Sequence, residues 1–452
     1  MNFASRALPM NASQPAAPQS RGRTWAEGID DKIPPLERKV VNVVSLVMIA
    51  TVLTMKFAVP GTNNIEAPFF YVMGLMVWML VKGYGRISLR GLFIYLLLCT
   101  LMMAWQIISP LHPELKPKAA FFFITMYLPF LVRMQVSKQA YLLLLKRFQY
   151  VCMFIGAMVF VDWATQLAGL PMPDMEQYVP KSFMFVNYNY IQPIHWGSPF
   201  MKPNAFFMLE TSHTSQLLAM GLLIEVCIFR RAFYLLFLGA ALLSTYGGTG
   251  LLLVLLGAPV ALFYMTRRTI VLGLLAAPLL FLLAVQIGLA DNVAGRTREF
   301  DTQNTSGYSR FIEPFVVLKE ITSQGTFAAM FGTGAGNLPS VSGHEVYVVN
   351  PVTKVMAEYG IPLGFFWIIW FHAIAFGRGA PVIVAVAPLL QYNFMNGSLL
   401  VPINTYYILF LCTLIVPPKK SGKRASVARS PLTFGRRAPA PTAAPAPAPA
   451  PA

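Results

Sequence analysis

Long apolar runs recur along the whole chain, broken at intervals by glycine, proline or small clusters of charge. Runs at 40–59, 89–108, 149–170, 204–229 and 269–290 reach the length of a bilayer crossing. A helix needs roughly 20 largely apolar residues to cross about 30 Å of hydrocarbon. Shorter runs at 68–82, 119–133, 232–245, 250–265, 358–376, 381–396 and 401–416 read as crossings trimmed or broken by Gly, Pro or polar residues. The pattern predicts an all-α, polytopic helical membrane protein with about twelve transmembrane helices. The number of crossings within 381–416 is left open.

Composition agrees with the pattern. Hydrophobic residues make up 56% of the 452 and charged residues 12%, where soluble domains average about a quarter charged. Mean hydropathy is +0.58. The net charge of +17 raises nucleic acid as a partner, but the placement of the charge argues otherwise. With the N-terminus cytoplasmic, 25 of the 35 lysines and arginines fall in the tails and in the loops assigned to the inner face. That is the positive-inside pattern, and an even number of crossings returns the C-terminus to the same side. The basic balance therefore encodes topology, and no nucleic-acid partner is assigned. Residues 1–39 form a polar, Pro/Ser-rich cytoplasmic tail and 40–416 the multi-span membrane domain. Residues 417–452 are a basic tail that runs out into "APAPTAAPAPAPAPA", sequence with nothing to bury. The four cysteines stand far apart in apolar segments, as packing residues do.

This topology leaves two long segments on the non-cytoplasmic face, about 171–203 and 291–357. Loops of such length are usually either functional or disordered, and the mixed aromatic and polar run "FVNYNYIQPIHW" favours a folded, functional loop. The second loop contains the cassette "EFDTQNTSGYSRF", residues 299–311. "KPNAFFMLETSHTSQLLAMGLL" opens the sixth run with Lys202, Glu210 and His213, the last two sharing a helix face. Ionisable groups at such depth normally face a cavity or a partner. "STYGGTG", Ser244 to Gly250, is either a tight turn between spans or a backbone-lined anion pocket. "FGTGAGNLPS" lacks the GK[ST] ending of a phosphate loop and reads as an irregular glycine loop. In "HEVYVVNPVTKVMAEYGIPLG", Asn350, Lys354 and Glu358 are spaced four apart along one helix face.

Taken in order, these pieces resemble the bacterial superfamily of O-antigen ligases and repeat-unit polymerases, membrane enzymes of surface-polysaccharide assembly. The resemblance spans about 200–365. It rests on "KPNAFFMLE", "STYGGTG", "SGYSRF", "GTGAGN" and "NPVTKVMAEYGIPLG" occurring in that sequence. The ligases carry a His-Asn-type pair leading into the last of these segments. Here Val349-Asn350 stands there and His344 lies five residues earlier. That departure favours the polymerases, of which the xanthan-type exopolysaccharide polymerases are the most similar.

The resemblance implies glycosyl transfer between polyprenyl-diphosphate-linked oligosaccharides at the periplasmic face of a bacterial inner membrane, with both termini cytoplasmic. The pathway's flippase and its chain-length or export proteins are the implied partners, besides the lipid bilayer. A diphosphate leaving group develops charge that must be met electrostatically, and arginine's planar fork suits phosphate oxygens. Arg310 is the first candidate, with Lys202, Arg296, Arg298 and Lys354 as supporting cations. For the base that takes the acceptor hydroxyl's proton, His344 is favoured by its loop, and Glu210 and Glu358 are the alternatives. Asn350 completes the binding set. No metal and no cofactor are assigned. Two alternatives stay open: an O-antigen ligase-type transferase, and a precursor transporter or flippase using Glu210, His213 and Glu225 as an ion path.

Overall fold

The structure, a computed structural model, describes residues 33–60, 65–108, 116–185, 190–195, 197–265, 305–338, 349–395 and 399–418, with isolated positions at 270–271, 282 and 301–302. These are mostly helical. Among the described residues, three helices are long and apolar enough to cross a membrane, namely Leu89–Ile108, Lys138–Leu167 and Thr211–Phe229. Shorter apolar helices fill most of the remaining predicted runs, among them Ala67–Val81, Ile361–Gly377 and Pro402–Leu414. The run at 269–290 lies almost wholly outside the described residues.

In chain order the helices are α1 (Pro35–Leu53), α2 (Ala67–Val81), α3 (Leu89–Ile108), α4 (Pro117–Tyr127), α5 (Lys138–Leu167), α6 (Thr211–Ile224), α7 (Ala232–Ser244) and α8 (Gly248–Leu262). The second half adds α9 (Ser306–Phe311), α10 (Glu313–Ser323), α11 (Thr326–Phe331), α12 (Pro351–Tyr359), α13 (Ile361–Gly377), α14 (Val382–Leu390) and α15 (Pro402–Ile408). Several boundaries differ from the apolar runs for physical reasons. α5 starts at Lys138, ahead of its apolar run, because Ser137 caps it by accepting from the Ala140 amide at 3.3 Å. α6 starts only at Thr211, because 204–210 is a tight irregular segment with Ala205 and Phe206 at positive φ. The run at 358–376 is split at Gly360 into α12 and α13.

α6 is the central helix, packed against α5, α7, α8 and α14. Glycine lets α8 approach it: a Cβ on Gly250 would stand 2.4 Å from the Ser215 carbonyl oxygen. Two of the turn's amides are used within the bundle, Gly250 N–H donating to Ser215 Oγ at 3.2 Å and Gly247 N–H to Thr245 Oγ1 at 3.0 Å. "STYGGTG" is thus a close-packing turn in this structure. At the end of the bundle where α5 begins, β1 (Arg86–Ile87) pairs antiparallel with β2 (Val132–Gln135), which pairs parallel with β3 (Ile415–Val416). Arg378 reaches into this small sheet and donates to the carbonyls of Phe130, Val132 and Thr413. All four cysteines are buried and free.

The α12–α13 joint is the tightest backbone crossing. Gly360 has φ +84, and a Cβ there would sit 1.9 Å from the Met330 carbonyl oxygen. Gly360→Ala therefore combines a positive-φ, extended-ψ backbone that is essentially confined to glycine, about 1–3 kcal/mol, with overpacking of about 1–3 kcal/mol. We expect a lowered melting temperature in detergent. Gly377→Ala, where no atom lies within 4 Å of the new Cβ, should melt like the parent, and equal melting of both variants would remove the joint's assigned role.

Candidate functional site

The structure brings two of the candidate residues together across one hundred positions of sequence. Arg310 Nη2 lies 3.3 Å from Glu210 Oε1, and each side chain is 15% exposed. Glu210 precedes α6 in an extended conformation, and its backbone carbonyl accepts from the His213 and Thr214 amides. Its side chain does not cap the helix but turns to Arg310 and to the Ser212 hydroxyl, while Gln192 Nε2 donates to Oε2 at 3.5 Å. Arg310 sits in the last turn of α9, whose start is fixed by Thr305 accepting from the Tyr308 amide at 3.4 Å. The cassette's arginine therefore reaches the sixth run's carboxylate, one hundred positions away in sequence. His213, one turn along α6, is buried and feels both charges.

Lys202 stands half-buried on the connection before Glu210, beside the Pro193–Met201 bridge. Its amide donates to the Gln192 carbonyl at 2.7 Å, and its carbonyl accepts from Thr211 Oγ1 at 3.3 Å. Gln192 thus touches both Lys202 and Glu210.

A second group forms on α12. The Asn350 side chain accepts from the Thr353 amide at 2.9 Å, which makes it the helix N-cap, with Pro351 following. Lys354 Nζ lies 3.8 Å from Glu358 Oε1 one turn on. Glu358 is buried. The "GTGAGN" turn closes over the end of this helix. Thr333 N–H donates to the Ala357 carbonyl and Gly334 N–H to the Glu358 carbonyl, each at 2.9 Å. Those amides terminate α12 and are not directed at an anion. α9 and α12 both touch the segment Gln391–Met395, so the Arg310 pair and the Glu358 group border the same stretch of chain. His344, Arg296 and Arg298 lie outside the described residues.

One buried network was not among the expected site residues. Lys56 Nζ lies 2.6 Å from Asp174 Oδ2, both side chains 0% exposed, and donates to the Phe206 carbonyl at 2.8 Å. Asn204 Nδ2 donates to the same Asp174 oxygen and to the Tyr190 carbonyl, and Asp162 Oδ2 accepts from the Ala205 amide at 2.8 Å. Three charged groups from separate segments thus clamp the two left-handed residues that lead into Glu210. The signal was present in the sequence: Lys56 and Asp162 both fall within apolar runs, where ionisable residues normally have a partner.

Glu225 lies at the far end of α6, on the order of 20 Å from Glu210 at 1.5 Å per residue, and is held by Arg231 at 2.7 Å. Leu217, Leu218, Ala219 and Met220, all buried, fill the helix between.

Comparison with known proteins returned no matching family model, no matching curated protein and no matching solved structure. Fold and residues together define a mostly helical protein with helices able to cross a membrane, and an acid–arginine pair where α6 begins.

Proposed function

We propose that the protein is a polymerase that joins polyprenyl-diphosphate-linked oligosaccharide repeat units into an exopolysaccharide at the periplasmic face of a bacterial inner membrane, with both termini cytoplasmic. The observation that carries this reading is the Glu210–Arg310 pair, in which a carboxylate and a guanidinium from distant segments meet at 3.3 Å.

The two groups divide the chemistry. A hydroxyl of one repeat unit attacks the anomeric carbon of another, forming a new C–O bond as the anomeric bond to the diphosphate breaks. The proton of the attacking hydroxyl goes to the Glu210 carboxylate, and the electron pair leaves with the polyprenyl diphosphate. Arg310 turns from Glu210 to the phosphate oxygens, meeting the charge that develops there. The same movement releases Glu210 as a proton acceptor, so substrate binding itself readies the base. Gln192 and Ser212 keep the carboxylate oriented when the arginine withdraws. Lys202 adds positive charge on the incoming connection. His344 and Glu358 are the other base candidates in this scheme.

The distance between the Glu210 pair and the Glu225–Arg231 pair favours this reading over an ion path along α6. Cells lacking the protein should lose high-molecular-weight polymer and accumulate single lipid-linked units on the periplasmic leaflet. Accumulation on the cytoplasmic leaflet alone would identify a flippase. Intact polymer that is no longer joined to its final acceptor would identify a ligase-type transferase.

A further inference from the structure

The apolar surface of α10 and α11 is a distribution that an aqueous loop does not have. One stripe of α10 is packed inward, with Pro314, Val317 and Ile321 buried and the helix set against α12. The opposite stripe begins with Ile312, Phe315 and Val316, all exposed, Phe315 at 73%, and ends with Lys319, Thr322 and Ser323. α11 continues the apolar part with Phe327 at 52% exposure and Met330. Contiguous exposed apolar surface of this kind marks a protein or membrane contact.

What covers it follows from its neighbours. α11 packs against α3 and α13. α3 is one of the helices able to cross a membrane, and its end exposes Ile107 at 78%, while α13 exposes Phe365 and Phe366. The row is therefore continuous with the face that a crossing helix turns to lipid. Depth is fixed by Trp105 in the last turns of α3. Its Nε1 donates to the Met330 carbonyl at 3.0 Å and its ring lies 5.1 Å from that of Phe331. Tryptophan at the end of a crossing concentrates at headgroup level.

We propose that α10 and α11 lie in the outer headgroup layer of the bilayer, with Ile312, Phe315, Phe327 and Met330 at the acyl boundary. Lys319, on the same stripe, extends its stem along the apolar surface and its ammonium to the phosphate level, as such side chains do at interfaces. The occupant is the lipid surface itself. This assignment does not rest on the polymerase reading. If both hold, Arg310, two residues before Ile312, is presented at the depth where a lipid-linked diphosphate lies.

The test uses the full chain in nanodiscs of phosphatidylethanolamine and phosphatidylglycerol, both faces open to solvent. The native cysteines are buried, so Phe315→Cys, Phe327→Cys and Ser323→Cys each offer a single accessible thiol for a fluorophore. Labels at 315 and 327 should be quenched several-fold more by a spin label on the upper acyl chain than the label at 323, which aqueous iodide should reach. Iodide reaching all three positions equally would overturn the proposal. Labels at 315 and 327 shielded from both quenchers would also overturn it, since a protein surface or a second copy would then cover the stripe. Val316→Cys supplies the same comparison should either phenylalanine variant fail to insert.

Discussion

Arg310→Lys should reduce polymer formed per inserted molecule about as severely as Arg310→Ala, each by about 100- to 1000-fold, the usual loss on removing one preorganised donor from an electrostatic site. Lysine keeps the charge and can still pair with Glu210, but it lacks the planar fork that meets two phosphate oxygens at once. Glu210→Gln should fall to a similar level, because the amide keeps the shape but accepts no proton. Arg310→Lys and Glu210→Gln should still insert, because lysine keeps the charge beside Glu210 and glutamine keeps its shape, in a pair whose side chains are each 15% exposed. A purely structural pair predicts the reverse: less protein in the membrane, with normal polymer yield from each surviving molecule. The measurement is polymer size distribution normalised to membrane-inserted protein. Near-normal yield per molecule in the arginine variants would remove the diphosphate clamp.

Lys56→Met should lower stability by about 3–5 kcal/mol, the cost of leaving one member of a buried ion pair without its counter-charge. Asp174 is fully buried and would keep Asn204 but lose the ammonium at 2.6 Å. Phe206 would lose the donor on its carbonyl. The effect should appear as earlier thermal aggregation in detergent, and Asp174→Asn should behave alike. A Lys56→Met, Asp174→Leu double variant should recover part of the loss, because an apolar pair of similar volume removes the isolated charge. Parent-like melting of Lys56→Met would mean that the network is not what holds Ala205 and Phe206 in their left-handed conformation.

Much of the helical layout was legible because a bilayer imposes both length and composition on whatever crosses it. The 89–108 run matches α3 at both ends for that reason. Boundaries failed where backbone chemistry overrode hydropathy, at Ser137, at the left-handed Ala205 and Phe206, and at Gly360. Glu210 was legible as a carboxylate in an apolar run. Its partner was not, since the acids nearest Arg310 in sequence are in its own loop, and only the tertiary arrangement carries α9 to the start of α6. Lys56 and Asp162 satisfied the same depth rule as Glu210, but belong to the first and fifth runs, far from the motifs that drew attention to the second half. Asn350 shows the converse. Its spacing with Lys354 and Glu358 suggested a shared binding face, whereas asparagine immediately before proline and a helix is also the residue pattern of an N-cap, and in the structure it is one.

The small sheet at the end of the bundle opposite Glu210 bears on the order of assembly. β2 receives β3 from the last described segment of the chain, and Arg378 needs the Thr413 carbonyl from the same segment to complete its three acceptors. The β2–β3 pairing joins residues about 280 apart in sequence, the kind of contact that forms late. Early crossings can wait in lipid, since each helix satisfies its own backbone there, but the rim cannot close until Ile415 and Val416 have left the ribosome. A nascent chain thus carries an unpaired strand edge beside Arg133 until residues 415 and 416 arrive, and the segment bearing β3 acts as the keystone.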